Sequence, residues 1–471
     1  MGQEVEGLRF RSEEFHRFQN SLHEETDLLT EWITDRKLSD RDYVIGLELE
    51  MCLVDQLGRP AAFNDSLLKS LNAEFVVPEL SQFNIEFNVE PISPRGNGIK
   101  TLVSRLSETW TSCNQAAERL DLSVLSIGIL PTLSEEHLVL SNMSQLHRYH
   151  ALNEQILRLR RGKPVHLSID GAESLASDHM DMMLEACATS LQLHLQVPQD
   201  RAADAFNFAT VLSAPMVAIS ANSPLLFGKK LWQETRVPLF EQAVTMEEPL
   251  NRVNFGTGYA TRDLAALFQE NESLYPVLLP VNSTDGIAKL GHLRLHNGTI
   301  WRWNRPIVGF DPNGTPHLRI EHRVMAAGPT VIDMAAQAAF FYGAMIDLLN
   351  MPRFEVRDRL PFIGAWNNFY ESARSGLKAQ VSWFDGKKWP LQKLIVQELV
   401  PTARRGLESL QVDSSDIDRW LQIIVERAES GRTGAQWQID FFQKTGQDRD
   451  LLVREYRARQ QAGEPVHQWS L

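Results

Sequence analysis

The chain is poor in cysteine, and this bears on both its chemistry and its cellular compartment. It has three cysteines in 471 residues, Cys52, Cys113 and Cys187, and they are far apart. A zinc site needs closely spaced ligand pairs, and a disulfide scaffold needs an even and denser set. We therefore expect free thiols and a protein of the reducing cytoplasm.

Basic residues are also in deficit. The 47 lysines and arginines are outnumbered by 60 acidic residues, which gives a formal charge of −13 and a pI near 5.5. Proteins that coat nucleic acid or anionic membranes need a basic surplus facing the phosphates. We therefore expect neither partner, although a local site can still oppose the net charge and bind a small anion.

Three further features are missing. The longest apolar stretch, Met334–Ile346, is too short to span a bilayer, which takes about 20 residues. The residues around Glu4 and Glu6 contain no apolar signal core, so we expect no export signal. There is no Gly-x-x-x-x-Gly-Lys-Ser/Thr sequence, which makes a P-loop enzyme improbable.

The hydrophobic fraction of 43% is ordinary for a globular protein and permits a sizeable core. Apolar residues at helical spacing predict an amphipathic helix over 12–36. Turn sequences and alternating residues predict a β-rich segment over 292–324, and a long helix follows at 329–350. We predict an α+β catalytic domain over 1–352 and a helical C-terminal extension over 353–471.

Two predicted strands carry acids on one face. In a strand, side chains at i and i+2 point to the same side. Glu48 and Glu50 therefore share a face of the first strand, opposite its leucines, and Glu86 lies on the polar face of the second. Glu79 stands in the turn before the second strand and is within reach of the same place.

Two later strands show the same alternation with different side chains. His194 lies between glutamines on the polar face of an otherwise aliphatic strand. Arg319, Glu321 and Arg323 alternate along the fourth strand and share a face. Any one of these four patterns, taken alone, is typical of a solvated strand surface.

Taken together, the four polar faces favour a binding site. Several carboxylates with an imidazole suit hard divalent cations such as Mg²⁺ and Mn²⁺. Arginine beside them suits a phosphate group, which it holds through bidentate hydrogen bonds. Because no P-loop is present, the combination predicts a metal–nucleotide phosphoryl-transfer site built on a sheet.

Several short motifs, which occur in a fixed order along the chain, support the prediction of a metal–nucleotide site. They resemble those of the glutamate–cysteine ligase superfamily, in particular its bacterial carboxylate–amine ligases and plant-type ligases. The resemblance covers about residues 43–343 and rests on these segments: Gly46–Glu50, Gln82–Asn88, Asp181–Leu184 with Leu193–Pro198, Ser220–Pro224, Ile300–Pro306 and Leu318–Arg323.

The resemblance implies a fold and a reaction. The fold would be that of glutamine synthetase, with a curved, mostly antiparallel sheet and flanking helices. The reaction would be ATP-dependent amide formation through an acyl phosphate, with Mg²⁺ or Mn²⁺ as the cofactor. The resemblance also implies two sets of metal ligands and an arginine at the transferring phosphoryl group: Glu50, Glu79 and Glu86 for one ion; Glu48, His194 and Glu321 for another; and Arg323 at the phosphoryl group.

Three more arginines are candidates for the same site. Arg305 lies between tryptophans and a proline, where it either binds a substrate carboxylate or phosphate or stacks on Trp303 as a cation–π pair. Arg302 and Arg294 are candidates for binding the nucleotide or substrate, and the alternative for both is a hairpin surface.

The leading prediction is therefore an ATP-dependent ligase that joins an amino-acid carboxylate, by default glutamate's γ-carboxylate, to an amine, by default cysteine. A guanidine kinase of the same superfold is one alternative, because it would use the same metal and phosphate ligands without making an amide. A non-catalytic relative that binds metal or nucleotide is another. The partners expected are small molecules, and a homo-oligomer is possible.

Overall fold

In the computed structural model, the four alternating segments belong to one curved, seven-stranded antiparallel sheet. The structure describes residues 5, 7, 9–71, 73–246, 251–281, 283 and 286–471. Glu4 and Glu6, on which the export-signal prediction rests, lie outside the described residues. The predicted α+β class is confirmed.

The strands of the described residues are β1 Val44–Val54, β2 Val76–Pro78, β3 Asn84–Asn88, β4 Ser123–Leu125, β5 Val165–Asp170, β6 Ser174–His179, β7 Ser190–Val197, β8 Leu225–Leu226, β9 Lys229–Lys230, β10 Val253–Asn254, β11 Trp301–Arg302, β12 Asn304–Phe310, β13 Pro316–Ala326, β14 Gln380–Ser382 and β15 Lys388–Pro390. The main sheet has the order β12, β13, β7, β1, β3, β2, and β4 pairs with the far end of β1. The remaining strands form two-stranded pairs outside it.

The helices of the described residues are α1 Ser12–Thr34, α2 Asn64–Leu71, α3 Gly98–Glu118, α4 His147–Leu159, α5 Ala202–Ile219, α6 Arg236–Ala243, α7 Ala265–Leu274, α8 Gly291–Gly298, α9 Val331–Asn350, α10 Val356–Arg359, α11 Phe362–Ser375, α12 Leu391–Leu394, α13 Val400–Ser409, α14 Ser414–Ser430, α15 Gly434–Lys444 and α16 Arg449–Ala462. The predicted N-terminal helix and the long helix after residue 329 are both present.

Helix α9 covers the back of the sheet. The Tyr342 hydroxyl donates to the carbonyl of Gly46 over 2.7 Å, and Phe341 stacks on His322 with ring centroids 4.3 Å apart. His322 faces away from its neighbour Glu321, because successive strand residues point to opposite sides. The face of the sheet that carries the alternating acids is therefore left open on the other side.

Two described helices, the segment 199–219 and α9, are long and apolar enough to cross a membrane by length and composition. In the folded chain they are core helices, because 89% and 83% of their most apolar windows are buried. Their apolar character is explained by this packing, since a helix surrounded by protein on all sides needs no polar face.

The prediction that residues 292–324 are β-rich is wrong at its start, because residues 291–298 form α8. The cause is a long-range contact. Glu25 of α1 accepts a hydrogen bond from the backbone N–H of Leu293 over 2.8 Å and contacts Nδ1 of His292 over 2.7 Å. A carboxylate at the first turn stabilises a helix through its free N–H groups and its dipole, and this partner is remote in sequence.

The C-terminal helices pack directly on helix α9 and on the segment that follows β4. Asp333 at the start of α9 forms a buried ion pair with Arg427 of α14 and accepts a hydrogen bond from the backbone N–H of Val466. Tyr456 of α16 donates its hydroxyl proton to the carbonyl of Ser126 over 3.1 Å. The division of the chain after residue 352 stays a prediction.

Candidate active site

Strand register brings the four polar faces together over one cleft. Glu321 of β13 lies opposite His194 of β7, and Glu50 of β1 lies opposite Glu86 of β3. The cleft, on the concave side of the sheet, has a volume of about 330 Å³ and is lined by these strands and by α4 and α8. This is the size of pocket that takes a small ligand.

Three side chains form a compact set of donor atoms, which we call the cation triad: Glu48, His194 and Glu321. One ligand atom from each lies within 4.8 Å of the other two. Nε2 of His194 is 3.3 Å from Oε1 of Glu48 and 3.9 Å from Oε1 of Glu321. This nitrogen is buried and makes no hydrogen bond within the described part of the chain.

The cation triad fits a divalent metal ion. Two carboxylates and an imidazole are donors that Mg²⁺ and Mn²⁺ accept, and Nε2 of His194 faces both carboxylates without a hydrogen bond of its own among the described residues. Burial opposes the ionisation of Glu48, but the imidazole of His194 outweighs it and lowers the pKa of Glu48 to about 2. The carboxylate is therefore charged and available as a ligand.

A second acidic group, formed by Glu50, Glu79 and Glu86, lines the same cleft. Burial and then the charge of Glu79 raise the pKa of Glu50 to about 7. Burial, followed by repulsion from Glu48 and Glu79, raises the pKa of Glu86 well above its usual value. Such mutual repulsion is relieved by a bound cation.

The second acidic group is less compact than the cation triad. Glu50 already accepts hydrogen bonds on both oxygens, from the backbone N–H of Ser190 over 2.7 Å and from Nε2 of Gln192 over 2.9 Å. Glu79 accepts from the backbone N–H of Leu80 over 3.1 Å. Among the described residues, only the cation triad brings three ligand atoms within 4.8 Å of one another.

Two arginines are anchored on the cation triad through Glu321. Arg305 donates from Nε and Nη2 to the two oxygens of Glu321 over 2.8 and 3.0 Å, and Arg323 donates from Nη1 over 3.0 Å. Burial opposes ionisation of Glu321, but Arg305 and then Arg323 hold its pKa well below the usual value. Arg323 also donates to the side-chain oxygen of Gln192.

The contacts of Arg305 differ from the alternative in which it stacks on Trp303 as a cation–π pair. Trp303 is buried, packs edge-on against Phe240 and donates from Nε1 to Glu241 over 2.8 Å. The partner of Arg305 is Glu321, and its side chain lines the cleft.

Arg302 lies outside the cleft, in contrast to the sequence-based expectation. It is 1% exposed and donates from Nη2 to Glu270 over 2.6 Å and to Asn271 over 2.8 Å. Its strand β11 pairs with β10 in a separate parallel ladder and does not continue into the main sheet. Arg294 lines the cleft but lies on helix α8 and not on a hairpin.

The cleft contains side chains that the sequence reasoning did not select: Arg148, Tyr149, Glu185, Gln192 and Arg319. Gln192 and Arg319 stand on the polar faces of the third and fourth alternating strands, so period-two alternation contained the signal for both. The other three come from α4 and a short 3₁₀ helix at residues 183–187. Their approach to the sheet depends on tertiary packing and left no local pattern.

A curved antiparallel half-barrel sheet with many helices is the architecture of the glutamine synthetase-like ligases. The chain belongs to glutamate–cysteine ligase family 2, whose family model matches residues 44–460. The family predicted from the motifs is confirmed, and the protein is an ATP-dependent ligase that joins a carboxylate to an amine. Enzymes of this class use ATP with a divalent metal ion.

Solved structures agree with the fold. A glutamate–cysteine ligase from Francisella tularensis in complex with AMP is 13% identical, with a TM-score of 0.52 over 92% of this chain and 90% of that one. A bifunctional glutathione synthetase from Pasteurella multocida is 11% identical, with a TM-score of 0.54 over 94% of this chain and 54% of that one. The present chain thus spans about half of the bifunctional protein. No curated protein matches it by sequence.

Proposed function

We propose that the chain activates the γ-carboxylate of glutamate as an acyl phosphate and joins it to an amine, by family default cysteine. A carboxylate oxygen would take the γ-phosphoryl group of ATP, and ADP would leave. The amine nitrogen would then attack the acyl carbon, and phosphate would leave with that oxygen. The observation that supports this best is the cation triad, joined through Glu321 to Arg305 and Arg323.

Eight residues of the site have a role in this proposal. The cation triad would hold one divalent ion, and Glu50, Glu79 and Glu86 would hold a second. Such ions neutralise the phosphate oxygens and orient the in-line attack. Arg323 and Arg305 would offset charge on the transferring phosphoryl group, because donors fixed in advance stabilise charge that develops during reaction. Glu321 fixes both guanidinium groups in place.

The test is ADP and phosphate release with ATP, Mg²⁺ or Mn²⁺, glutamate and a panel of amines. With ¹⁸O in the γ-carboxylate, the acyl phosphate route predicts one ¹⁸O atom in the released phosphate. We expect Glu48→Gln to lower kcat by at least about 100-fold, because it removes a metal ligand from the phosphoryl-transfer site.

Glu90→Gln is the matched control, since Glu90 is an exposed acid two residues beyond the end of β3, and its ion-pair partner among the described residues is Arg105 over 3.2 Å. Absence of turnover with every amine, or equal rates for Glu48→Gln and the wild type, would contradict the proposal. ADP formation without phosphate release in the presence of arginine or creatine would favour the guanidine kinase.

We also propose a cytoplasmic location, which is supported by three cysteines that are all buried and unpaired. Oxidising compartments favour disulfide formation, so free thiols suit a reducing one. Cell fractionation with an antibody to the chain tests this, and recovery in a membrane or exported fraction would contradict it. A homo-oligomer stays a prediction, to be tested by sedimentation equilibrium.

A further inference from the structure

Helix α1 precedes the part of the chain that matches the family model, since that match begins at residue 44. It nevertheless contacts both helices that line the cleft. Toward α4, the guanidinium of Arg158 lies over the ring of Phe15, 4.6 Å from the centroid. Toward α8, Phe18 packs edge-on against His292, with ring centroids 5.0 Å apart. An element outside the family match therefore supports one side of the cleft.

The buried face of α1 contains a single charged residue, Glu25, which is 3% exposed. Its Oε2 accepts a hydrogen bond from the backbone N–H of Leu293 over 2.8 Å, and its Oε1 is 2.7 Å from Nδ1 of His292. Nε2 of the same ring accepts from the backbone N–H of Ser283 over 3.3 Å, which places the ring proton on Nδ1, facing Glu25. Both carboxylate oxygens thus accept from donors at the start of α8.

The other end of α8 contacts Arg305. The carbonyl of Gly298 accepts a hydrogen bond from Nη1 of Arg305 over 3.3 Å. Asn297 donates from Nδ2 to the carbonyl of Pro306 over 2.9 Å, which ties the helix to β12. The other two nitrogens of Arg305 donate to both oxygens of Glu321. A carboxylate at the first turn of a helix and a guanidinium at its last turn both match the helix dipole. Helix α8 therefore links α1 to Arg305.

Between these two ends, α8 contributes side chains to the cleft, among them Leu293, Arg294 and Asn297. Glu25 itself lies outside the cleft. Any influence of Glu25 on a bound ligand must therefore pass through the helix that it contacts. Displacement of a binding group by about 1 Å can cost about 100-fold in rate even when the mutated residue is far from the chemistry.

We propose that Glu25 is a positioning residue of this ligase: it fixes α8, and through α8 the guanidinium of Arg305, in the place that binds the phosphates of Mg²⁺–ATP. The inference rests on the proposed function in placing those phosphates beside Arg305. It adds a residue of the N-terminal helix to the groups on which nucleotide binding depends.

The experiment is calorimetric titration of Mg²⁺–ATP into the wild type and into Glu25→Gln, together with hydrogen exchange of the segment 291–298. Glutamine keeps an acceptor for the N–H of Leu293 but removes the charge. Glu24→Gln is the matched control, because Glu24 is the neighbouring acid of α1 and is exposed. Phe18→Leu is the second variant, since it weakens the packing of α1 on His292 without changing a polar group.

We expect Glu25→Gln to raise the Kd of Mg²⁺–ATP by about tenfold, the effect of losing one charge-assisted contact. Phe18→Leu should cause a smaller change in the same direction. Amide exchange should become faster in 291–298 and stay unchanged in β1, β7 and β13. In turnover, the KM for ATP should rise. A fraction of unfolded enzyme would instead lower kcat and leave KM unchanged, so the two explanations are separated.

An unchanged Kd in both Glu25→Gln and Phe18→Leu would overturn the inference. A loss of the same size in Glu24→Gln, or exchange that is faster throughout the main sheet, would also overturn it. If Glu25→Gln does not fold, Phe18→Leu decides the question by the same Kd and exchange measurements.

Calorimetry and hydrogen exchange need no turnover, so the inference and the proposed function can fail separately. A wild type that makes no amide, with nucleotide binding that still depends on Glu25, would contradict the proposed function and leave the positioning role standing. Normal amide formation in the wild type, with unchanged nucleotide binding in both variants, would do the reverse.

Discussion

Substituting His194 by asparagine is the most selective way to perturb the cation triad. The asparagine side-chain oxygen can take the place of Nδ1 and keep the hydrogen bond from Arg319, whereas Nε2 is deleted. Nε2 makes no hydrogen bond in the described part of the chain. We therefore expect the metal-free variant to lose only the contact between Nε2 and Glu48, 3.3 Å away, and its free energy of unfolding to fall by about 1.5–3 kcal/mol relative to the wild type.

The metal-dependent part of the stability is measured separately, as the difference in unfolding free energy with and without the metal ion. A cation at 100 times its Kd stabilises the folded chain by about 2.7 kcal/mol. Loss of a neighbouring outer-shell group weakens metal sites by about 10- to 100-fold, so loss of a ligand should cost at least about tenfold. At the same metal concentration the gain then falls to about 1.4 kcal/mol or less.

The assay is urea denaturation with and without Mg²⁺ or Mn²⁺, followed by circular dichroism. His322→Asn is the control: His322 is a buried strand histidine on the opposite face, and its Nε2 also makes no hydrogen bond to any described residue. That variant should be less stable, because it loses the stacking on Phe341, but should keep the full metal-dependent gain. An equal metal-dependent gain in the wild type and in His194→Asn would refute the reasoning.

Three further predictions concern buried groups outside the cleft. Burial raises the pKa of Glu241 to about 7 from an ordinary 4.5. Ionisation therefore destabilises the fold as the pH rises through this interval, and Glu241→Gln should raise the free energy of unfolding at pH 8 by about 3 kcal/mol. Burial lowers the pKa of His296 to about 4 from 6.5. Below pH 6.5 the unfolded chain therefore binds a proton at His296 that the folded chain does not bind, so the free energy of unfolding falls as the pH falls. His296→Gln should reduce the stability lost between pH 7 and 5 by about 2 kcal/mol. Asp333→Asn should cost about 3–5 kcal/mol by leaving Arg427 buried without its counter-charge.

All three are measured by urea denaturation across pH, with kcat as the control for a native fold. A gain in Glu241→Gln that is the same at pH 5 and pH 8 would contradict the first. Parallel stability curves for His296→Gln and the wild type from pH 7 to pH 5 would contradict the second. For the third, Asp333→Leu combined with Arg427→Met should cost less than Asp333→Asn alone, and a larger cost would contradict the buried-charge explanation.

The residues of the cation triad could be selected from the sequence because strand alternation is a local property. Period two placed Glu48, Glu321 and His194 on the polar faces of their strands without knowledge of the fold. Their convergence depends on register, in which Glu321 pairs with His194 across β13 and β7. Register is a long-range property, and the resemblance to a family supplied what alternation could not.

The errors have physical causes of the same kind. Arg302 is expected to bind the nucleotide or substrate but lies outside the cleft, because β11 ends at Arg302 and pairs with β10 outside the main sheet. The sequence of helix α8 predicts a strand, whereas the segment is helical because Glu25 stabilises its first turn. Glu25 lies 268 positions before Leu293, so no local pattern contains this contact. Strand alternation does not identify Glu185, because this residue reaches the cleft from a 3₁₀ helix and not from a strand of the sheet. Each case depends on a tertiary contact that local sequence patterns do not contain.

The most direct test of the central claim is anomalous diffraction from crystals grown with Mn²⁺ and a non-hydrolysable ATP analogue. The account predicts a Mn²⁺ peak bound by Glu48, Nε2 of His194 and Glu321, with the nucleotide's terminal phosphate beside Arg323 and Arg305. A bound nucleotide with no anomalous peak at these three residues, or with its phosphates outside the cleft, would contradict it.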